Sequence, residues 1–358
     1  MLNKLFYILQ QKKFFSMFYL DSKLGLKIRK PRFFLRVLLN YLLIIIFKQR
    51  RLRSVDFAPT YACNMNCTHC FALPMLDNRK QVMGLADYRR VASEAKVLGA
   101  VHFALQGGEP FLLANLEGII EAIGPRDCFI SITTNGAMLT KERLLKLKKI
   151  GLDMLTISID SGFPQEHDRA RNTNGAFDKA LEGVRIAQRC NLAVTVNTII
   201  THENIASGGF AEIVKLCSLL KVKLNILYPA VSGRYADKLE VMLSPEEKEI
   251  AKAITEGQIF VRRDLDANYL TYGCGALKEM IYISPYGEVM PCAFIHASLG
   301  NIKYDSLADC LKKGLRVPHF TRYHPVCPPM EDIDFIRQYI FKISASKDLP
   351  ADFAEVFN

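Results

Sequence analysis

The chain contains no tryptophan, no internal repeat and no low-complexity linker, and its first 53 residues hold a single acid, Asp21. Thirteen Lys and Arg share that opening segment: Lys4, Lys12, Lys13, Lys23, Lys27, Arg29, Lys30, Arg32, Arg36, Lys48, Arg50, Arg51 and Arg53. Residues 1–53 therefore carry +12 against +11 for all 358 residues, and the rest of the chain is close to neutral. A basic excess confined to one hydrophobic arm argues against a nucleic-acid partner, which would call for a basic face on the body. The chain also lacks the roughly 20 consecutive apolar residues that a spanning helix needs. Its most apolar stretch, 33–47, is fifteen residues long and includes Arg36 and Asn40. No secretory signal is evident, because Lys12 and Lys13 cut short the first apolar run and no small-residue cleavage site follows. Ten cysteines in so long a chain, grouped at metal-site spacings, do not read as a disulfide scaffold, and we infer a reducing, intracellular compartment.

The arm, 1–53, has basic residues on both sides of its apolar stretch, Arg29, Lys30 and Arg32 before it and Lys48, Arg50 and Arg51 after. Arg32, Arg36 and Asn40 are spaced by four and so share one helical face. That pattern predicts a helix in the headgroup region, with Phe33, Phe34, Leu38, Leu42 and Ile46 facing the acyl chains and the cations near anionic lipid. A helix packed on the protein's own core with a solvated basic face is the competing reading, and a true span is a third. On the first, the protein is cytoplasmic and peripheral at the inner face of the membrane, and a chain starting near Ser54 folds without the arm.

Between 54 and 230, short β-rich runs alternate with helical patterns. Strands are expected at 55–59, 101–106, 129–133, 154–159, 193–199 and 224–228, and helices at 85–98, 141–150, 176–190 and 210–220. Such alternation predicts parallel βαβ units in an α/β sheet, open or curled into a partial barrel. From 231 to 358, Ser244 and Glu247 around Pro245 form a capping box for a helix at 244–253. Strands at 281–284 and 288–291 flank a Pro-Tyr-Gly turn and read as a hairpin, and 305–313 reads as a short helix.

The strongest chemical signal is Tyr61-Ala-Cys63-Asn-Met-Asn-Cys67-Thr-His-Cys70-Phe71, directly after the first strand. Three thiolates suit soft iron, and [4Fe–4S] clusters take Cys ligands, ordinarily four, so a triad leaves one iron open. Zinc with His69 as fourth ligand competes, but C-x3-C-x2-C is not the usual zinc spacing.

This spacing resembles the defining motif of the radical S-adenosylmethionine (SAM) superfamily. The resemblance implies that Cys63, Cys67 and Cys70 hold a [4Fe–4S] cluster whose open iron binds SAM. Reductive cleavage then gives a 5′-deoxyadenosyl radical that abstracts hydrogen from substrate. His69 stands where the family commonly has an aromatic residue. Gly107-Gly108-Glu109 after the second strand resembles the motif that binds the SAM amino group; two glycines permit close backbone approach, and a carboxylate can receive an ammonium. Thr133-Thr-Asn135-Gly136 follows the third strand. Ser158 and Asp160 end the fourth, where the family contacts SAM, and Asn197 on the fifth matches a ribose-contacting position. Glu166-His167-Asp168 with Arg171 is similar to a segment of peptide-modifying and sulfatase-maturing branches, in which Arg171 would pair with the SAM carboxylate. Each residue alone could be a cap or turn, but the ordered set falls at strand C-termini, where parallel α/β folds bind ligands.

Cys274, Cys292 and Cys327 resemble the start of SPASM and Twitch extensions, which hold an auxiliary [4Fe–4S] cluster. The remaining run of four cysteines of a full SPASM domain is missing, so the match is to the shorter, Twitch-like type. Its fourth ligand is Cys310, His324, another side chain, or an open iron. The resemblance implies a partial (β/α)6 TIM-like barrel with a small hairpin-and-helix auxiliary domain and a helical N-terminal arm. It also implies an outside reductant such as a flavodoxin or ferredoxin. For the substrate, the arm suggests a lipid-like or membrane-associated molecule. The alternatives are a maturase that cross-links or oxidises a peptide or protein, and a non-catalytic iron–sulfur electron carrier. No residue is singled out as catalytic.

Overall fold

The computed structural model describes residues 30–263, 265 and 268–357. The basic residues of the arm before Lys30, and the reading of Lys12 and Lys13 as a broken signal, lie outside the described residues. One nine-stranded mixed sheet organises the chain. Its first six strands are β1 (Ser54–Phe57), β2 (His102–Leu105), β3 (Phe129–Thr134), β4 (Met154–Ser158), β5 (Ala193–Ile199) and β6 (Lys223–Leu227), parallel and side by side in sequence order. Three further strands come from beyond residue 231. The three-residue β7 (Val261–Arg263) adds in parallel to β6 at one edge. At the other, β8 (Met280–Ile283) pairs in parallel with β1, and β9 (Val289–Met290) folds back antiparallel on β8. Among the described residues no ladder joins β7 to β9, an order consistent with a partial barrel.

Strand alternation creates the two faces on which the site depends. Val55, Phe57, Phe103, Leu105, Ile130, Ile132, Leu155, Ile157, Val194, Val196 and Leu224 are buried in the main core. Asp56, His102, Ser131, Thr133, Thr156, Asn197 and Asn225, on alternate positions, line a cavity instead. The helices over the apolar face show the spacing that put them there. One example is the run Ala176–Arg189, which buries Phe177, Ala180, Val184 and Ala187. The capping box before Pro245–Thr255 is formed in both directions, with Ser244 Oγ accepting from Glu247 N–H at 3.2 Å and Glu247 Oε2 accepting from Ser244 N–H at 2.8 Å.

The arm departs from expectation. Its helix, α1 (Pro31–Ile45), turns Phe33, Val37, Asn40 and Tyr41 inward against Val101, Phe129, Met154 and Tyr269, at the N-terminal ends of the strands. The expected lipid-facing role of Phe33 is thus wrong, and Arg36 and Asn40 meet protein partners and not headgroups or water, whereas Arg32 on the same face stays exposed. Arg36 pairs with Asp127 at 2.7 Å and donates to the carbonyls of Lys96 and Ala100, both at 2.8 Å. Asn40 donates to Gly99 O and to Tyr269 Oη. Lys30, buried, pairs with Asp153 and donates to Cys128 O and Gly151 O at 2.9 Å. The reason is satisfaction of polar groups: the loops below the sheet leave carbonyls and carboxylates there that cations on α1 meet. The opposite face, Leu35, Leu38, Leu39, Leu42 and Ile46, is exposed. Among the described residues no helix is long and apolar enough to cross a membrane.

Candidate functional site

The cavity inside the sheet is about 340 Å3, within the range of small-ligand pockets, and Phe33 of α1 forms part of its floor. It brings together almost every residue the motifs suggested. Cys63, Cys67, Cys70, Gly107, Gly108, Glu109, Ser158, Asp160, Arg171 and Asn197 line it, and so do Cys274, Cys292 and Cys327. Both cysteine triads therefore face one space. Cys310 does not; it is buried beside Asp305, Asp309 and Gly300 in a separate hollow. His324 also looks away, stacked on His319 at 3.9 Å with its Nε2 2.8 Å from His319 O.

The first triad sits on a loop with little regular structure, held by its neighbours. Gly108 N–H donates to Thr60 O at 2.8 Å and Glu109 N–H to Ala62 O at 2.9 Å. The approach is so close that a Cβ on Gly108 would lie 2.1 Å from Ala62 O, and Gly107 sits at φ +128. Here glycine is required by space at one position and by conformation at the other. Glu109 is fully buried, and its carboxylate accepts from Phe111 N–H, Thr134 Oγ1 and Asn135 N–H. Burial nonetheless pushes its pKa up.

Each sulfur of the triad meets a hydrogen-bond donor. Met65 N–H lies 3.4 Å from Cys63 Sγ, Leu73 N–H 3.3 Å from Cys70 Sγ, and Arg171 Nη1 3.7 Å from Cys67 Sγ. Donors around sulfur are what an iron–sulfur cluster's surroundings supply. Burial pushes the Cys63 thiol up to about 11 and raises Cys67 as well, so these thiols call for a bound cation to become thiolates. Among the described residues no group of three or more His, Cys, Asp or Glu closes on a single ion. His69 is turned to Asp160, with Nε2 3.7 Å from Oδ2. The donor set fits the cluster.

Behind the triad lies a buried charge network. Arg171 Nε pairs with Asp160 Oδ2 at 2.8 Å, and His69 Nε2 lies 3.7 Å from the same oxygen. Burial works to raise the Asp160 pKa, but Arg171, His69 and His167 outweigh it and hold the carboxyl low. Burial pushes His69 down to about 4, leaving a neutral ring. Arg171, expected at the SAM carboxylate, is thus engaged with Asp160 and Cys67. In the second triad, burial pushes Cys292 up to about 12 and raises Cys274; backbone N–H groups of Phe294 and Ile295 face the former and that of Ala276 the latter. The motifs did not point to Tyr228, Ser232, Tyr235, Arg262 or Arg263, which also line the cavity, or to Arg234, which binds the cluster loop. Their only signal is position, in or after the sixth and seventh strands.

Comparison with known proteins places these features. The model of the Radical SAM superfamily matches residues 57–217, and that of the SPASM iron-sulfur cluster-binding domain matches 274–328. The chain is 23% identical to the AdoMet-dependent heme synthase of Methanosarcina barkeri (strain Fusaro / DSM 804), over 70% of this chain and 79% of that protein. It is 26% identical to the PqqA peptide cyclase of Methylocella silvestris, over 70% and 71%. Its fold is similar to Streptococcus suis SuiB, solved bound to the precursor peptide SuiA, with TM-score 0.61 and 16% identity over 85% of this chain and 75% of that one. These findings correct the expectation of a lipid-like or membrane-associated substrate. The relatives point elsewhere, and α1, which motivated that expectation, is seated on the protein's own sheet.

Proposed function

We propose that this chain, a radical SAM enzyme with a C-terminal SPASM domain, modifies a peptide or protein, forming a cross-link or oxidising a side chain. Its cofactors are SAM, a SAM-binding [4Fe–4S] cluster and an auxiliary iron–sulfur cluster. When bound, they supply reductive cleavage of SAM and a radical that takes hydrogen from substrate. We assign Cys63, Cys67 and Cys70 to the first cluster and Cys274, Cys292 and Cys327 to the auxiliary one. Gly107, Gly108, Glu109, Ser158, Asp160, Arg171 and Asn197 form the SAM surface within the concavity of a partial barrel.

The observation that carries the reading is the shared cavity: both triads line it, so a side chain reaching the SAM surface lies within the space bounded by the auxiliary site as well. Similarity to the PqqA peptide cyclase and the SuiB fold supports a peptide as the molecule that enters. A tetrapyrrole is the second reading, favoured by the heme synthase relative. Within this chain, Asp160 holds Arg171 against Cys67, Glu109 ties the SAM loop to the end of β3, and the neutral His69 buries an uncharged ring beside the loop. An outside reductant such as a flavodoxin or ferredoxin belongs to the same reading. So does peripheral contact of the exposed α1 face with an anionic membrane at the cytoplasmic side, supported by exposed Arg32, Lys48 and Arg50 beside Leu38, Leu42 and Ile46. Salt-sensitive co-sedimentation with anionic liposomes tests that contact.

The substrate test uses reconstituted enzyme with SAM, reductant and short peptides encoded by neighbouring genes. Mass spectrometry should find a peptide that loses a pair of hydrogens. Turnover of a porphyrin precursor with every peptide unchanged would favour the second reading.

A further inference from the structure

The segment after β6 touches both cysteine sites, although no motif marks it. Residues 231–235 run along the cavity wall, which Ser232 and Tyr235 help to line. On the first cluster's side, the Arg234 backbone N–H donates to Cys70 O at 3.0 Å. Arg234 Nη1 donates to the carbonyls of Asn66 and Cys67, both at 2.9 Å, and Nη2 bonds the Asn66 side chain. Gly233, at φ +63, lies so close that a Cβ would be 2.4 Å from Phe71 Cα and 2.5 Å from Cys70 O. The Tyr235 ring is 6.4 Å from that of His69. On the auxiliary side, Val231 N–H donates at 2.9 Å to the carbonyl of Pro329, just beyond Cys327. Ser232 Oγ lies 3.4 Å from His296 Nε2, itself 2.9 Å from the carbonyl of Ala293, the neighbour of Cys292.

We propose that residues 231–235 are a strut fixing the first cluster loop relative to the auxiliary site, with Arg234 as its positioning residue. The loop from Cys63 to Cys70 has no strand ladder of its own, so its carbonyls need donors from elsewhere. One planar guanidinium serves two successive carbonyls and a side chain at once, a fork that a lysine ammonium does not reproduce. A fixed positive charge beside a cluster held by three thiolates also favours its reduced, more negative state and so raises its potential. The strut rests on the assignment of the two triads and not on the nature of the substrate.

The experiment compares full-length wild type, R234M, R234K and G233A after anaerobic reconstitution. Iron retention, the EPR spectrum of the reduced enzyme with SAM, and the midpoint potential of the SAM-binding cluster are read alongside circular dichroism. R234M should lower the potential, alter the SAM-dependent EPR signal and slow 5′-deoxyadenosine formation about tenfold, the worth of roughly one charge-assisted hydrogen bond. R234K should restore the potential but not the EPR signal, separating charge from geometry. A folded R234M with wild-type potential, EPR spectrum and iron retention overturns the proposal. If R234M does not fold, G233A decides, because it keeps every donor while its Cβ forces the two loops apart. An altered SAM-dependent signal in G233A supports the strut, and an unchanged one overturns it.

Discussion

Truncating Phe33 to alanine probes the seat of α1, the element whose role the structure changed most. The ring is 1% exposed, with its centroid 5.1 Å from that of Phe34 and 6.3 Å from that of Phe129. Removing such a buried ring costs about 3–5 kcal/mol, the lost transfer energy plus the cavity left behind. The polar ties of Lys30, Arg36 and Asn40 survive the change, so α1 should stay in place, held less tightly. A helix near the start of the described chain can also lift away without global unfolding, so the global loss is capped at its docking energy. Hydrogen exchange of the α1 amides therefore reports the effect better than a melting curve. Protection should fall on the order of a hundredfold or more, at tenfold per roughly 1.4 kcal/mol. Arg36→Met should cost less, about 1–2 kcal/mol, because the pair is part-exposed and Asp127 keeps Lys96 at 2.6 Å. Leu38→Ser, on the exposed face, should stay within about 0.5 kcal/mol. Protection in F33A within about twofold of wild type, or an equal loss in L38S, would show that α1 does not sit on this face.

Gly108→Ala should leave the sheet folded by circular dichroism yet abolish iron loading at the first triad, because the atom in the way is backbone, Ala62 O at 2.1 Å. Wild-type iron retention in that variant would refute the close approach. Acid should release α1 through Asp127. Burial works to raise that carboxyl, but Lys96 and Arg36 outweigh it and hold it below its ordinary 3.8. A carboxylate depressed in the folded state stabilises above its unfolded pKa and loses that contribution as pH falls through the folded one. Exchange of α1, corrected for intrinsic rates, should thus be level from about pH 5 to 7 and accelerate below about pH 4, and Asp127→Asn should shrink the acid step, leaving what the Lys30–Asp153 pair contributes.

Much of the site was legible because its chemistry is written at strand ends. The six parallel strands are short β-rich runs, each close to its observed limits; the motif residues of 63–70, 107–109 and 158–160 follow or end them, and Asn197 lies two residues before the end of the fifth. Their convergence on one cavity follows from parallel topology, which gathers all such ends on one side. The strand at Val261–Arg263 was not legible: three residues carry no usable alternation, and only the edge of β6 makes them a strand. The orientation of α1 was hidden for a different reason. Arg36 and Asn40 at helical spacing look the same whether they face water, lipid headgroups, or the carbonyls of Lys96, Ala100 and Gly99. Only the tertiary partners decide, and in this structure they reverse the face that was expected to be wet. Arg234 was invisible likewise, since its carbonyl partners lie on a loop more than 160 residues away in sequence.

The most direct test of the account is 5′-deoxyadenosine formation by anaerobically reconstituted, reduced enzyme supplied with SAM. The wild type, carrying about eight iron atoms in two clusters, should form it. The variant with Cys63, Cys67 and Cys70 all changed to alanine should retain about four irons at Cys274, Cys292 and Cys327 and form none. Undiminished 5′-deoxyadenosine formation by that variant would contradict the assignment of the SAM-cleaving centre to these three cysteines.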